Sequence, residues 1–173
     1  MPNIYEGQPI AGEAKFAVCV ARYNEHITQR LLDGALETLK KADVADDAVD
    51  VYWVPGAFEL PVVAAHVIDL KRHAAIICLG AVIRGETTHD QHINTSISNQ
   101  FAALGVRSGI PVLFGVLTCD TLEQAIQRAG GNVGNKGAEC ADAALRMANL
   151  VERIENKTPV DSKSLKQRFG FGS

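Results

Sequence analysis

Four short, almost wholly apolar runs recur along the chain, at residues 15–21, 49–54, 74–83 and 111–117, each separated by a longer amphipathic segment. This alternation most constrains the fold. Runs rich in Val and Ile with no polar face fit parallel strands covered on both sides. The intervening segments carry helical periodicity. Residues 26–42 place Ile27, Leu31, Leu32, Ala35, Leu36 and Leu39 on one stripe. Residues 57–72 predict a second helix with Pro61 in its first turn. Residues 89–108 carry Ile93, Ile97, Phe101 and Leu104 at helical spacing. A short helix over 121–129 opens with Thr121 and Gln124 in a capping box. The last helix spans 136–156, with Ala138, Ala141, Leu145, Ala148 and Val151 inward. Strand–helix alternation predicts right-handed crossovers, hence an α/β fold with helices on both faces of a parallel sheet.

The 173 residues suit one domain, placed at residues 15–157. Residues 1–14 read as an arm, and residues 158–173 as a polar, mildly basic, frayed tail. A net charge of −3 gives no general attraction to nucleic acid or anionic membrane. Neither a signal peptide nor a transmembrane run is expected, since the apolar stretches are only strand-length. Cys19, Cys78, Cys119 and Cys140 share no C-x-x-C spacing. They read as buried small hydrophobes in a reducing cytoplasm.

Ligands of open parallel sheets bind beyond the carboxyl ends of the strands. There the first strand runs into Arg22-Tyr23-Asn24, the second into Pro55-Gly56-Ala57-Phe58-Glu59, and the third into Arg84-Gly85-Glu86-Thr87-Thr88-His89. At the third end, a glycine before a helix start allows anion binding by free N–H groups. Simple capping by Thr87 or Thr88 explains the same residues. His89, in the first helical turn, is either a proton shuttle or a surface histidine bonded to its own turn. His89 and His92 share a helix face, too few ligands to specify a metal site. Phe58 beside Glu59 can stack a planar heterocycle and hold its polar groups, or Phe58 is core and Glu59 a solvated first-turn acid. Tyr23 offers a second ring or a structural one. Arg128 is a phosphate fork or a solvated arginine near a helix end. His66 reads as packing, and His26 and His73 as surface. The glycines from Gly130 to Gly137 lack G-x-G-x-x-G spacing and a preceding strand, and no P-loop or G-x-S-x-G elbow occurs.

Taken together, Ala21-Arg22-Tyr23-Asn24, the run from Val54 to Pro61, the run from Gly80 to His89, Phe114-Gly115-Val116-Leu117-Thr118, the run from Glu123 to Gly130 and Gly134-Asn135-Lys136-Gly137 resemble the 6,7-dimethyl-8-ribityllumazine synthase family of riboflavin biosynthesis, in family order. The resemblance implies a three-layer α/β/α sandwich with a four-stranded parallel sheet of order 2-1-3-4, and an N-terminal arm that extends a neighbour's sheet. It implies condensation of 5-amino-6-(D-ribitylamino)uracil with 3,4-dihydroxy-2-butanone 4-phosphate, without cofactor or metal. By the same resemblance Tyr23 and Phe58 flank the pyrimidine. Ala57 and Glu59 hold the ribityl chain, and the backbone of Ala81, Val82 and Ile83 meets the heterocycle. Glu86, Thr87 and Arg128 form a phosphate corner, and His89 moves protons. Phe114 closes the pocket from a neighbouring subunit. Position 23 is Tyr where Phe or Trp is expected, and Asp90 and His92 stand where aromatics are common.

The resemblance also implies a homo-pentamer. Residues 130–134 carry no insertion, which favours further assembly into an icosahedral shell of pentamers. Asn132 and Val133 depart from the pattern of shell-formers. Alternative readings are an archaeal-type riboflavin synthase and a non-catalytic shell or flavin-binding protein. A response-regulator-like domain would need an acidic residue ending the third strand, where Ile83-Arg84 stands.

Overall fold

The computed structural model describes residues 2–161. Strands β1 (Phe16–Ala21), β2 (Val49–Val54), β3 (Ala75–Ile83) and β4 (Val112–Cys119) form a parallel sheet of order β2-β1-β3-β4. Helices α1 (Glu25–Lys41), α2 (Leu60–Asp69), α3 (His89–Ser108), α4 (Leu122–Arg128) and α5 (Lys136–Glu155) cover it. The sheet thus sits between two helical layers. One core joins Phe16, Val18 and Ile77 to Leu31 and Leu39 of α1 and Leu145 of α5. The other joins Ala17, Cys19 and Ile76 to Leu60 and Val67 of α2 and Phe101 of α3. Every residue of β1 is buried, which explains its lack of a polar face. Gly137 lets α5 lie against α1, because a Cβ there would overlap the Leu31 carbonyl. None of the helices among the described residues is long and apolar enough to cross a membrane.

All four cysteines are free and buried, as expected for small hydrophobes. Burial pushes the Cys140 thiol up to about 11.

Several local expectations are corrected. The segment predicted as one helix over 57–72 is a 3-10 turn, Ala57–Glu59, followed by α2. The chain turns out of α2 early, with Lys71 left-handed at φ 53°. The glycine-rich stretch holds a small antiparallel hairpin, β5 (Ala129–Gly131) and β6 (Gly134–Asn135). Glycine-rich strands of two or three residues carry no hydrophobic period, so sequence pattern misses them. At α4, Thr121 Oγ1 accepts the Gln124 N–H, but the Gln124 side chain accepts the Asp120 N–H, not that of Thr121.

Two histidines exchange places with their expected environments. His66 is exposed, because the buried stripe of α2 runs through Leu60, Ala64, Val67 and Ile68. His73 is buried, with its Nε2 2.7 Å from Asp50 Oδ2. Arg72 pairs with the same carboxylate oxygen at 3.0 Å and donates to the Tyr52 hydroxyl. The bond from His73 holds the Asp50 carboxyl below its ordinary range, against a smaller push from burial, with Arg72 and Lys15 adding to the lowering. This cluster lies at the amino-terminal end of the sheet.

Residues 2–14 form no helix or strand. They run against α5, where the Gln8 N–H donates to Asn149 Oδ1 and a Cβ at Gly7 would strike the Arg146 backbone. Residues 158–161 return beside them, the Val160 N–H donating to Ile4 O at 2.7 Å. The remainder of the segment read as a frayed tail, residues 162–173, lies outside the described residues.

Candidate active site

At the carboxyl end of the sheet the strands separate. β1 pairs with β3 only as far as Val20 and Leu79, whereas β3 continues beside β4 to Ile83. Beyond Ala21 the chain stays with β2. The Arg22 N–H donates to Val54 O and the Tyr23 N–H to Pro55 O. Arg22 also lies over the Trp53 ring, 4.6 Å from its centroid, and pairs with Glu25. Thr28, fully buried, donates its hydroxyl to Ala21 O and so ties the start of α1 to the end of β1. The divergence of β1 from β3 opens a crevice at the switch in strand order, where open sheets bind ligands.

A cleft of about 420 Å³ fills this crevice, lined by Tyr23, Gly56, Ala57, Phe58, Glu59, Ala81, Val82, Ile83, Gly85, Thr87, His89, Asp90 and Ile93. A pocket of this size suits a small molecule. Three segments remote in sequence thus meet at one place, and most of the expected ligand-binding residues stand together. Tyr23 and Phe58 are 74% and 60% exposed, so neither ring belongs to the core. Two exposed aromatic rings on one cleft offer stacking surface that solvent-facing positions seldom carry. Gly80 lies beneath, where a Cβ would touch Ala57 and Val116 at 3.4 Å.

The start of α3 forms one wall. Thr88 is its N-cap residue yet makes no side-chain cap; Thr87 Oγ1 accepts the His89 N–H at a long 3.4 Å. The first turn of a 20-residue helix therefore opens onto the cleft beside Gly85. Its N–H groups and dipole favour an anion there. His89 is exposed on the cleft wall and within reach of anything bound in it.

Three expected site residues lie elsewhere in the single chain. Glu86 is exposed but does not line the cleft. Arg128 lines a separate depression with Thr118, Asp120, Glu123, Gln124, Gln127 and Val133. Phe114 is near the start of β4, paired with Cys78, its ring 5.9 Å from that of Phe101. It is 40% exposed and does not line the cleft formed by its own chain's strand ends. Sequence reasoning passed over Asp90 as a wall residue and gave Asn24 no role. Asp90 adjoins His89 in the first turn of α3, which was the signal available.

The profile of the 6,7-dimethyl-8-ribityllumazine synthase family matches residues 13–152, spanning the whole sheet and all but the last turn of α5. The chain belongs to this family. The lumazine synthases are transferases of riboflavin biosynthesis that act on small molecules. The match covers each cleft segment, so the lumazine synthase fold and the cleft geometry concern the same stretch of chain. Among the described residues no group of three His, Cys, Asp or Glu side chains is arranged to hold a metal ion.

Proposed function

We propose that this chain condenses 5-amino-6-(D-ribitylamino)uracil with 3,4-dihydroxy-2-butanone 4-phosphate, giving 6,7-dimethyl-8-ribityllumazine, phosphate and water. The observation that carries the reading is the single cleft in which Tyr23, Phe58, Glu59 and His89 meet on a chain of the lumazine synthase family. The pyrimidine lies between the Tyr23 and Phe58 rings, against the backbone of Ala81, Val82 and Ile83. Glu59 and the Ala57 backbone receive the ribityl hydroxyls. The phosphate sits at the start of α3, beside Gly85, Thr87 and Glu86. The substrate amine is itself the nucleophile and attacks the ketone to form an imine. Loss of phosphate and ring closure follow. The site's largest contribution is holding two small molecules in reacting geometry. His89, the imidazole exposed on the cleft wall, moves the protons.

Phe114 and Arg128 enter this scheme from an adjoining copy, as neither lines the cleft of its own chain. A site shared in this way makes the oligomer the active species. We assign it as a cyclic pentamer, formed by repeated head-to-tail contacts that close by symmetry. Residues 1–14 act as the arm that pairs with a neighbour's sheet edge, and residues 15–157 as the catalytic domain. The short hairpin, with no insertion between β5 and β6, is compatible with an icosahedral shell of pentamers. The four buried, unpaired thiols fit a reducing cytoplasm.

The test is direct. Mixing the full chain with both substrates is expected to produce the absorbance of the lumazine. Turnover of the lumazine alone, with none from the two substrates, would assign the chain to riboflavin synthase chemistry. Absence of both reactions would leave a binding or shell protein.

A further inference from the structure

We propose that Asn24 is a positioning residue of the cleft, its side-chain amide fixing the Ala81 carbonyl on the wall that receives the heterocycle. Asn24 follows Tyr23 at the end of β1. It adopts the left-handed conformation, φ 60° and ψ 43°, immediately before α1. Asparagine is one of the few side chains that tolerate this region. Although it occupies the N-cap position, its side chain makes no cap hydrogen bond. Instead Asn24 Nδ2 donates to Ala81 O at 2.9 Å, across 57 residues of sequence. Only the NH₂ of the amide can face a carbonyl, so its orientation is settled by the partner.

The place of this bond gives it consequence. β1 is in register with β3 only to Leu79, so residues 80–83 of β3 have a strand neighbour on the β4 side alone. On the open side, backbone groups that a strand would have taken face the crevice. Asn24 takes the Ala81 carbonyl in place of that strand. Strand alternation turns the N–H and C=O of Ile83 to the same side as Ala81. They remain as a donor–acceptor pair, while the Arg84 N–H is taken by Cys119 on the β4 side. Asn24 thereby holds the gap between β1 and β3 at a fixed width and removes one acceptor from the wall. It also sets where Tyr23, its chain neighbour, stands against that wall. Removing the bond frees an acceptor with the wrong register for the ring and loosens the gap.

This role rests on the functional reading above, because it concerns the aminopyrimidine and not the phosphorylated ketone. Two full-length variants test it, with steady-state kinetics measured for each substrate in turn. Asn24→Gly keeps the left-handed backbone and deletes the amide. The KM for the aminopyrimidine is expected to rise roughly fivefold, the scale of one net hydrogen bond. The KM for the ketone and kcat stay within about twofold of wild type. Asn24→Asp tolerates the same backbone but sets a carboxylate against the carbonyl, and its aminopyrimidine KM rises further. If only the left-handed backbone matters, both variants match wild type, and the proposal is overturned. It is equally overturned if both KM values rise together, or if both variants fail to fold by circular dichroism. A wild-type chain that makes no lumazine sinks the functional reading itself. A wild type that turns over beside an Asn24→Gly chain with unaltered KM sinks only the role of Asn24.

Discussion

At the amino-terminal end of the sheet, Asp50, Arg72, Tyr52 and His73 hold one another, and of their buried side-chain polar atoms His73 Nδ1 lacks a partner among the described residues. At the carboxyl end, Tyr23, Glu59 and His89 line a cleft and, among the described residues, their side chains make no hydrogen bond with the rest of the chain. The two ends share one scaffold and similar residue types. Their difference is what each polar group is matched to. Groups matched within the chain hold the fold together. Groups left open toward a cavity are available to a ligand. A buried polar group without its partner costs stability, whereas an exposed one in a cleft costs little until it is asked to bind.

The largest expected effect breaks this comparison at the cleft end. His89→Ala should lower kcat by roughly 10²-fold, the range open to general acid–base help. Its urea-unfolding midpoint should match wild type, because the imidazole is exposed. Equal turnover by wild type and variant across pH 6–9 would remove His89 from the chemistry.

The opposite end should behave in the opposite way. Asp50→Ala leaves buried His73 without its carboxylate and should cost about 1–3 kcal/mol of stability in urea denaturation. Turnover per folded chain should be unchanged. A kinetic defect without loss of stability would show that the cluster is coupled to the cleft, and the comparison would fail.

The smallest effect sharpens the account of that cluster. The folded-state pKa of Asp50 is lowered, first by the bond from His73. Its stabilisation is therefore fully present above the unfolded Asp value, about 4. It is lost as pH falls through the lower folded value. Asp50 is half-open to solvent, so the contribution is about 1 kcal/mol or less. Asp50→Asn should flatten the fall in stability between roughly pH 4 and pH 2. An acid limb as steep as that of wild type would place the coupling elsewhere.

Much of the fold was legible before the structure. β1 and β3 are buried on both faces, and continuous apolar runs are how such strands announce themselves. The bounds of α3 were legible from its helical spacing and the threonines before His89; in the structure the helix ends at Gly109, left-handed at φ 72°. The early exit from α2 was not, because a left-handed lysine gives no compositional warning. His73 was misread for a similar reason: it lies in the loop before β3, and its partner Asp50 lies 23 residues away on β2. Tyr23, Phe58 and His89 were singled out because each lies in a segment beyond a strand end, and the structure sets all three on one cleft. Arg128 and Phe114 were singled out too, yet the single chain brings neither to the cleft.

The sequence by itself determined the layered α/β architecture and which loops stand at the carboxyl ends of the strands, since hydrophobic period and strand-end position are local properties that a reader can count. Tertiary structure decided that Phe58 faces solvent, that Arg128 stands in its own depression, and that Asn24 reaches Ala81. Those outcomes depend on the register of β1 against β3 and on where each strand stops. Register is fixed by the summed packing of both cores, and no residue's own identity specifies it.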